Sequence, residues 1–235
     1  MRASLIGASL LLCLAAGLPS WSQAPCGQLR SGTPLPVDPL LIPAGHPKPE
    51  PPSDYRHRLQ TTPLGWPLQS TWCVWVQPAD SEAPRSTATQ RWLQAVAGAL
   101  KEWQQVLPIV LVNQPELAQV TIWRQRPPLR LDAKGRPRAS HGRAILSLQK
   151  QGGDAHAQVE PRVEVLIGPG QRLEALQATA LHELGHAFGL WGHSDEPGDA
   201  MAVSPGATPV LQLSLRDRRT LEWLYQQPSP MRLAP

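Results

Sequence analysis

Two histidines, His182 and His186, stand four residues apart in the stretch HELGHAFGLWGH, and a carboxylate, Glu183, follows the first. On a helix their imidazoles project from one face, one turn apart, so both can reach a single ion. Imidazole nitrogen suits zinc, and a catalytic zinc site takes three protein ligands and leaves a place for water. Glu183 points about 100° around such a helix, too far round to be the natural third ligand but well placed to meet that water. Gly189 comes three residues after His186, where the helix must stop if the chain is to turn back. Glycine enters the left-handed region there without a Cβ clash. His193 is then the candidate third imidazole, with Asp195 the alternative if His193 misses the metal. Three neutral ligands leave the ion its full charge, which draws the pKa of bound water from about 15.7 toward about 7.

The longer stretch HELGHAFGLWGHS resembles the metzincin zinc peptidases, whose pattern is HExxHxxGxxH, and most of all their matrixin branch, in which Ser follows the third His. That resemblance implies one catalytic Zn²⁺ on His182, His186 and His193, with Glu183 as general base. It also implies that Met201, in Asp199-Ala200-Met201, is the Met-turn residue, an apolar floor beneath the metal and not a ligand. Two departures stand out. Three residues, Leu190-Trp191-Gly192, separate Gly189 from His193 where the pattern has two, and no Tyr stands two residues after Met201. The stretch Gly152-Gly153-Asp154-Ala155-His156 is similar to a matrixin segment that binds structural calcium and a second zinc. Its partner ligands are not evident upstream, so it reads as a turn and structural Ca²⁺ is unsupported. Pro25-Cys26-Gly27 is similar to the cysteine switch of matrixin pro-segments, but the residues around it do not match.

Several elements must position these groups. A run rich in β-branched and aromatic residues at 70–76 reads as a strand, and further strands are expected at 109–112, 120–123, 144–148 and 163–167. Trp92, Leu93, Val96, Leu100 and Trp103 recur at three- and four-residue spacing, which predicts a helix from Ser86 or Thr87 to about Val106. The histidine pair falls on a second helix over 172–188, and a last helix runs from about 214 to Leu224. These elements predict an α+β arrangement of a mixed sheet, a long backing helix and a helical C-terminal part; the resemblance implies a metzincin-like zincin fold, with the sheet mostly parallel, an active-site helix and a small C-terminal helical subdomain. Residues 144–148 are expected to form the exposed edge along which an extended substrate pairs.

Outside that core, the first 22 residues have the layout of a secretory signal peptide: Arg2, an apolar run from Leu5 to Leu18, then small residues. A Pro-rich segment at 23–67 lacks apolar periodicity and reads as a spacer or pro-segment; the catalytic domain is expected over 68–228, with a tail at 229–235. Export leaves Cys26 and Cys73 in the mature chain, and in an oxidising compartment two remaining cysteines favour a disulfide. The net charge of +4 comes from Arg and Lys that look scattered, and the chain has a single Phe, which argues against a nucleic-acid partner. The reading is therefore a secreted or periplasmic, monomeric zinc endopeptidase acting on protein or peptide, not inserted in a membrane after signal cleavage. The alternative is a catalytically silent, secreted metal-binding or peptide-recognition module.

Overall fold

The computed structural model describes residues 26, 32–35, 41–48, 53–79, 86–131, 134–151, 158–204 and 206–228. The expected signal peptide, the turn at 152–156 and the tail at 229–235 lie outside them. In chain order the strands are β1 (Thr33–Pro34), β2 (Ile42–Pro43), β3 (Gln60–Thr61), β4 (Trp72–Val76), β5 (Ile109–Leu111), β6 (Val120–Trp123), β7 (Arg130–Leu131), β8 (Pro137–Arg138), β9 (Gly142–Gln151) and β10 (Gln158–Ile167). The α-helices are α1 (Thr87–Trp103), α2 (Leu173–Ala187) and α3 (Leu215–Tyr225).

One six-stranded sheet, in the order β1-β9-β10-β6-β4-β5, carries the fold. Its β5, β4, β6 and β10 are mutually parallel, whereas β9 is antiparallel to both β10 and β1. The mixed, mostly parallel sheet expected from sequence is what forms. Helices α1 and α2 pack against each other, and α2 also packs on β9 and β10. The tryptophan stripe of α1 is core: Trp92 and Trp103 are fully buried. Their indole N–H groups still find partners, Trp92 donating to the Ile167 carbonyl and Trp103 to the Leu181 carbonyl, both at 3.0 Å. The stripe thus ties α1 to the end of β10 and to the helix that bears the histidines, while satisfying polar atoms that burial would otherwise penalise.

Strands β9 and β10 are each 10 residues long, well beyond the apolar runs that announce them. Their outer halves carry polar residues such as Gln149, Lys150 and Glu160 and so lack an apolar run, and the antiparallel ladder from Gln151↔Gln158 to Leu148↔Pro161 carries the pairing through them.

Residues upstream of Leu68 join the same core. Tyr55 and Leu59 are almost fully buried, and Trp66 is buried beside them. The Tyr55 hydroxyl donates to Asp217 at 2.7 Å, and its backbone N–H donates to the Thr220 hydroxyl at 3.1 Å, so this segment is fastened to α3. The edge expected at 144–148 is also partly covered. Thr33 and Pro34 pair with Lys150 and Gln149, and the Leu35 N–H donates to the Leu148 carbonyl at 3.1 Å. Polar strand ends of this kind give no apolar signal of a partner, which is why sequence alone leaves the edge open.

Cys26 and Cys73 are joined in a disulfide with Cα atoms 5.6 Å apart. Cys73 lies on β4 and is fully buried, so the bridge holds the start of the N-terminal segment to the sheet. With the cysteines 47 positions apart, Cys26→Ser should lower unfolding free energy by about 2–4 kcal/mol through restored chain entropy in the unfolded state. Urea denaturation of the variant beside the wild type measures this. A loss below about 0.5 kcal/mol would mean that strand pairing alone holds the segment.

Candidate metal centre

Helix α2 delivers His182 and His186 one turn apart, as the four-residue spacing demands. Phe188 follows the helix, and Gly189 takes φ +106°, where a Cβ would also meet the side chain of Leu68. The chain then reverses, and the ligand atoms of His182, His186 and His193 all come to lie within 4.8 Å of one another. Asp195 does not join them. It pairs instead with Arg58 (3.2 Å) and Arg216 (2.9 Å), and the Arg216 hydrogen bond, with the other contacts, holds its carboxyl down at about 2.

The additional residue before His193 is accommodated by the N-terminal segment. The Gln60 N–H donates to the Trp191 carbonyl at 2.6 Å, which lays β3 alongside the loop. Gly192 sits so close to the Arg58 carbonyl that any Cβ there would overlap it. Glycine is required at 192 for close approach, not for a left-handed backbone: among the described residues the positive-φ glycines are Gly45, Gly65, Gly135 and Gly189.

Backbone carbonyls orient two of the rings. His182 Nδ1 lies 2.8 Å from the Ala200 oxygen, and His186 Nδ1 lies 2.8 Å from the Leu190 oxygen. A carbonyl can only accept, so both Nδ1 atoms carry the proton and both Nε2 lone pairs are left for an ion. Trp191 stacks on His186 with ring centroids 5.5 Å apart, fixing that ring from its other side. Burial pushes His182 down to about 4 and His186 well below its ordinary value; neighbouring imidazoles add to the effect, and burial also lowers His193. The three rings are therefore neutral nitrogen donors at physiological pH, a set that fits zinc.

Met201 is fully buried, with its sulfur packed so closely on Gly185 of α2 that a Cβ at 185 would not fit. Its turn is stitched down at several points. The Ser194 N–H donates to the Met201 carbonyl at 2.7 Å, the Val203 N–H to the Ser194 carbonyl at 3.0 Å, and the Ser194 hydroxyl to Asp199. Asp217, fully buried, accepts from the Ala200 N–H at 2.8 Å and from the Ser214 N–H at 2.9 Å, besides the Tyr55 hydroxyl. Since Ala200 also orients His182, Asp217 is a support for the site that sequence reading missed. Its visible signature is the box Ser214-x-x-Asp217 that caps α3.

Glu183 lies against the start of β9, where a Cβ at Gly142 would clash with its Cγ. The Ala144 N–H hydrogen-bonds to it, and Arg143 is close enough to act on its charge. Burial outweighs both and raises its carboxyl to about 7.

A histidine pair on one helix, a third imidazole after a glycine reversal and a buried methionine turn below them define a metzincin-type domain. The Matrixin family model matches residues 71–226, about two-thirds of the chain, and the protein belongs to that family of zinc metallopeptidases. Comparison with curated proteins returned no match. Among the described residues, no helix is long and apolar enough to cross a membrane.

Gly192→Ala should push the 190–193 loop off Arg58 and weaken zinc binding by about 10–100-fold, read by competition with a chromogenic chelator. Unchanged affinity would show that the loop position does not matter.

The pKa shifts also fix a sign. In the metal-free chain the depressed histidines make stability rise with pH between about 4 and 6.5, because the unfolded chain binds more protons there. Glu183, raised from 4.5 to about 7, acts oppositely: its contribution is complete below 4.5 and is lost as pH rises through 7. Thermal melts in chelator should therefore show a steeper gain in Tm over this range for Glu183→Gln than for the wild type. A shallower gain would contradict the burial of Glu183.

Proposed function

We propose that this chain is an exported zinc endopeptidase in which His182, His186 and His193 hold one catalytic ion and Glu183 is the general base. The observation that carries this is the orientation of the imidazoles: two of the three have Nδ1 bound to a backbone carbonyl, so their free nitrogens face His193. When bound, zinc supplies a Lewis acid that acidifies water and polarises a carbonyl. Glu183, whose carboxyl burial raises in the metal-free chain, lies one residue from His182 on α2, placed to take a proton from water and pass it to a departing amine. A binding module would have no use for a carboxylate placed in this way beside its ligands. An extended substrate would pair with the outer edge of β9 over 142–147, the part that β1 leaves uncovered. The signal-like layout of residues 1–22 supports export, and a Cys26–Cys73 bridge belongs in an oxidising compartment.

Metal analysis and a mixed peptide library test this together. Wild type and Glu183→Ala should each carry one zinc per chain, and Glu183→Ala should lose about 10²–10⁴-fold in kcat. His193→Ala should lose the metal. If wild type and Glu183→Ala both hold zinc and neither cleaves, the chain is a silent metal-binding module.

A further inference from the structure

The free edge of β9 is closed at one end and open at the other. At the Leu148 end β1 already occupies it. At the Gly142 end the chain between β6 and β9 forms the hairpin of β7 and β8, in which Arg130 pairs with Arg138 and Leu131 with Pro137. Arg143 of β9 donates through its guanidinium to the Pro128 carbonyl at 2.9 Å, which ties the segment leading into the hairpin to β9. Glu183 lies against the adjacent Gly142, so this base is beside the proposed chemistry.

The hairpin has an unusual surface. The stretch of sequence from Arg124 to Arg143, which contains the hairpin, has seven of the chain's 22 Lys and Arg residues and one acid, where even spacing would give about two basic residues. The basic residues that look scattered in the composition are concentrated here. Leu129 and Leu131 are 66% and 70% exposed, the highest among the described large apolar side chains. Arg130, Lys134 and Arg136 are exposed around them.

The six residues at 142–147 offer only about 20 Å of pairing edge, so a bound polypeptide must run beyond it. It cannot continue past Leu148. A substrate running as β1 does on this edge, antiparallel to β9, sends the residues after its scissile bond out over the hairpin. We propose that the hairpin selects substrates by capturing acidic stretches with interspersed aliphatic residues on the C-terminal side of the cleaved bond. This rests on the peptidase reading. Leucines among arginines would also suit an anionic lipid surface, but the attachment of the hairpin to the substrate strand beside Glu183 favours polypeptide.

The test compares peptides cleaved at one common bond and followed by Glu-Glu-Leu, Gln-Gln-Leu or Lys-Lys-Leu. For the zinc-loaded wild type, kcat/KM for the acidic peptide should exceed that for the neutral one by about tenfold, mostly through KM, and the advantage should vanish in about 0.5 M NaCl. An Arg130→Gln, Arg136→Gln double variant should lose the advantage with cleavage of the neutral peptide unchanged, and the corresponding double Lys variant should keep it. Equal KM values for acidic and neutral peptides would overturn the proposal. So would wild-type binding to phosphatidylglycerol vesicles without any preference among the peptides. If the wild type cleaves none of them, fluorescence anisotropy of the same peptides separates the two claims: tighter acidic binding keeps the hairpin assignment and removes the peptidase reading.

Discussion

Everything at this site depends on two hydrogen bonds from imidazole Nδ1 to backbone carbonyls, His182 to Ala200 and His186 to Leu190. They choose the tautomer, and with it the nitrogen that faces an ion. Neither carbonyl belongs to α2. Leu190 is presented because Gly189 reverses the chain, and Ala200 because the Met201 turn is stitched to Ser194 and Asp217. The histidine motif is therefore inert without the loops behind it, and those loops are held by α3 and the N-terminal segment.

The segment upstream of Leu68 has a larger part than its proline content suggests. Tyr55 reaches Asp217, Gln60 binds Trp191, and Arg58 crowds Gly192, so three contacts from one short stretch bear on the Met turn and the His193 loop. The disulfide and β1 anchor the same segment to the sheet. Its proximity also accounts for the longer spacing before His193: the additional residue is taken up where the loop lies against Arg58 and Gln60.

Much of this was legible in the sequence. The α1 and α2 spans, to within a few residues, and the core strands follow from apolar periodicity and β-branched runs, and the return of His193 toward His182 and His186 from the glycine after the second histidine; the mostly parallel sheet was implied by the metzincin resemblance. Local pattern reports such features well, because burial of a stripe and reversal at a glycine are short-range events. The polar halves of β9 and β10, the covering of the edge by β1 and the Asp217 hub were not legible. The strand halves pair locally, Gln151 with Gln158, but their polar residues give no apolar signal; the β1 cover and the Asp217 hub depend on hydrogen bonds between residues far apart in the chain, 162 positions for Tyr55 and Asp217, which leave no periodic trace.

The central claim is that His193, despite the longer loop, completes an all-imidazole set. X-ray absorption at the zinc edge of the purified mature chain tests it most directly. The account predicts three imidazole nitrogens at about 2.0–2.1 Å, with the multiple-scattering pattern of histidine rings reduced by one in His193→Ala. A thiolate or carboxylate in place of the third imidazole, or a spectrum that His193→Ala leaves unaltered, would contradict it.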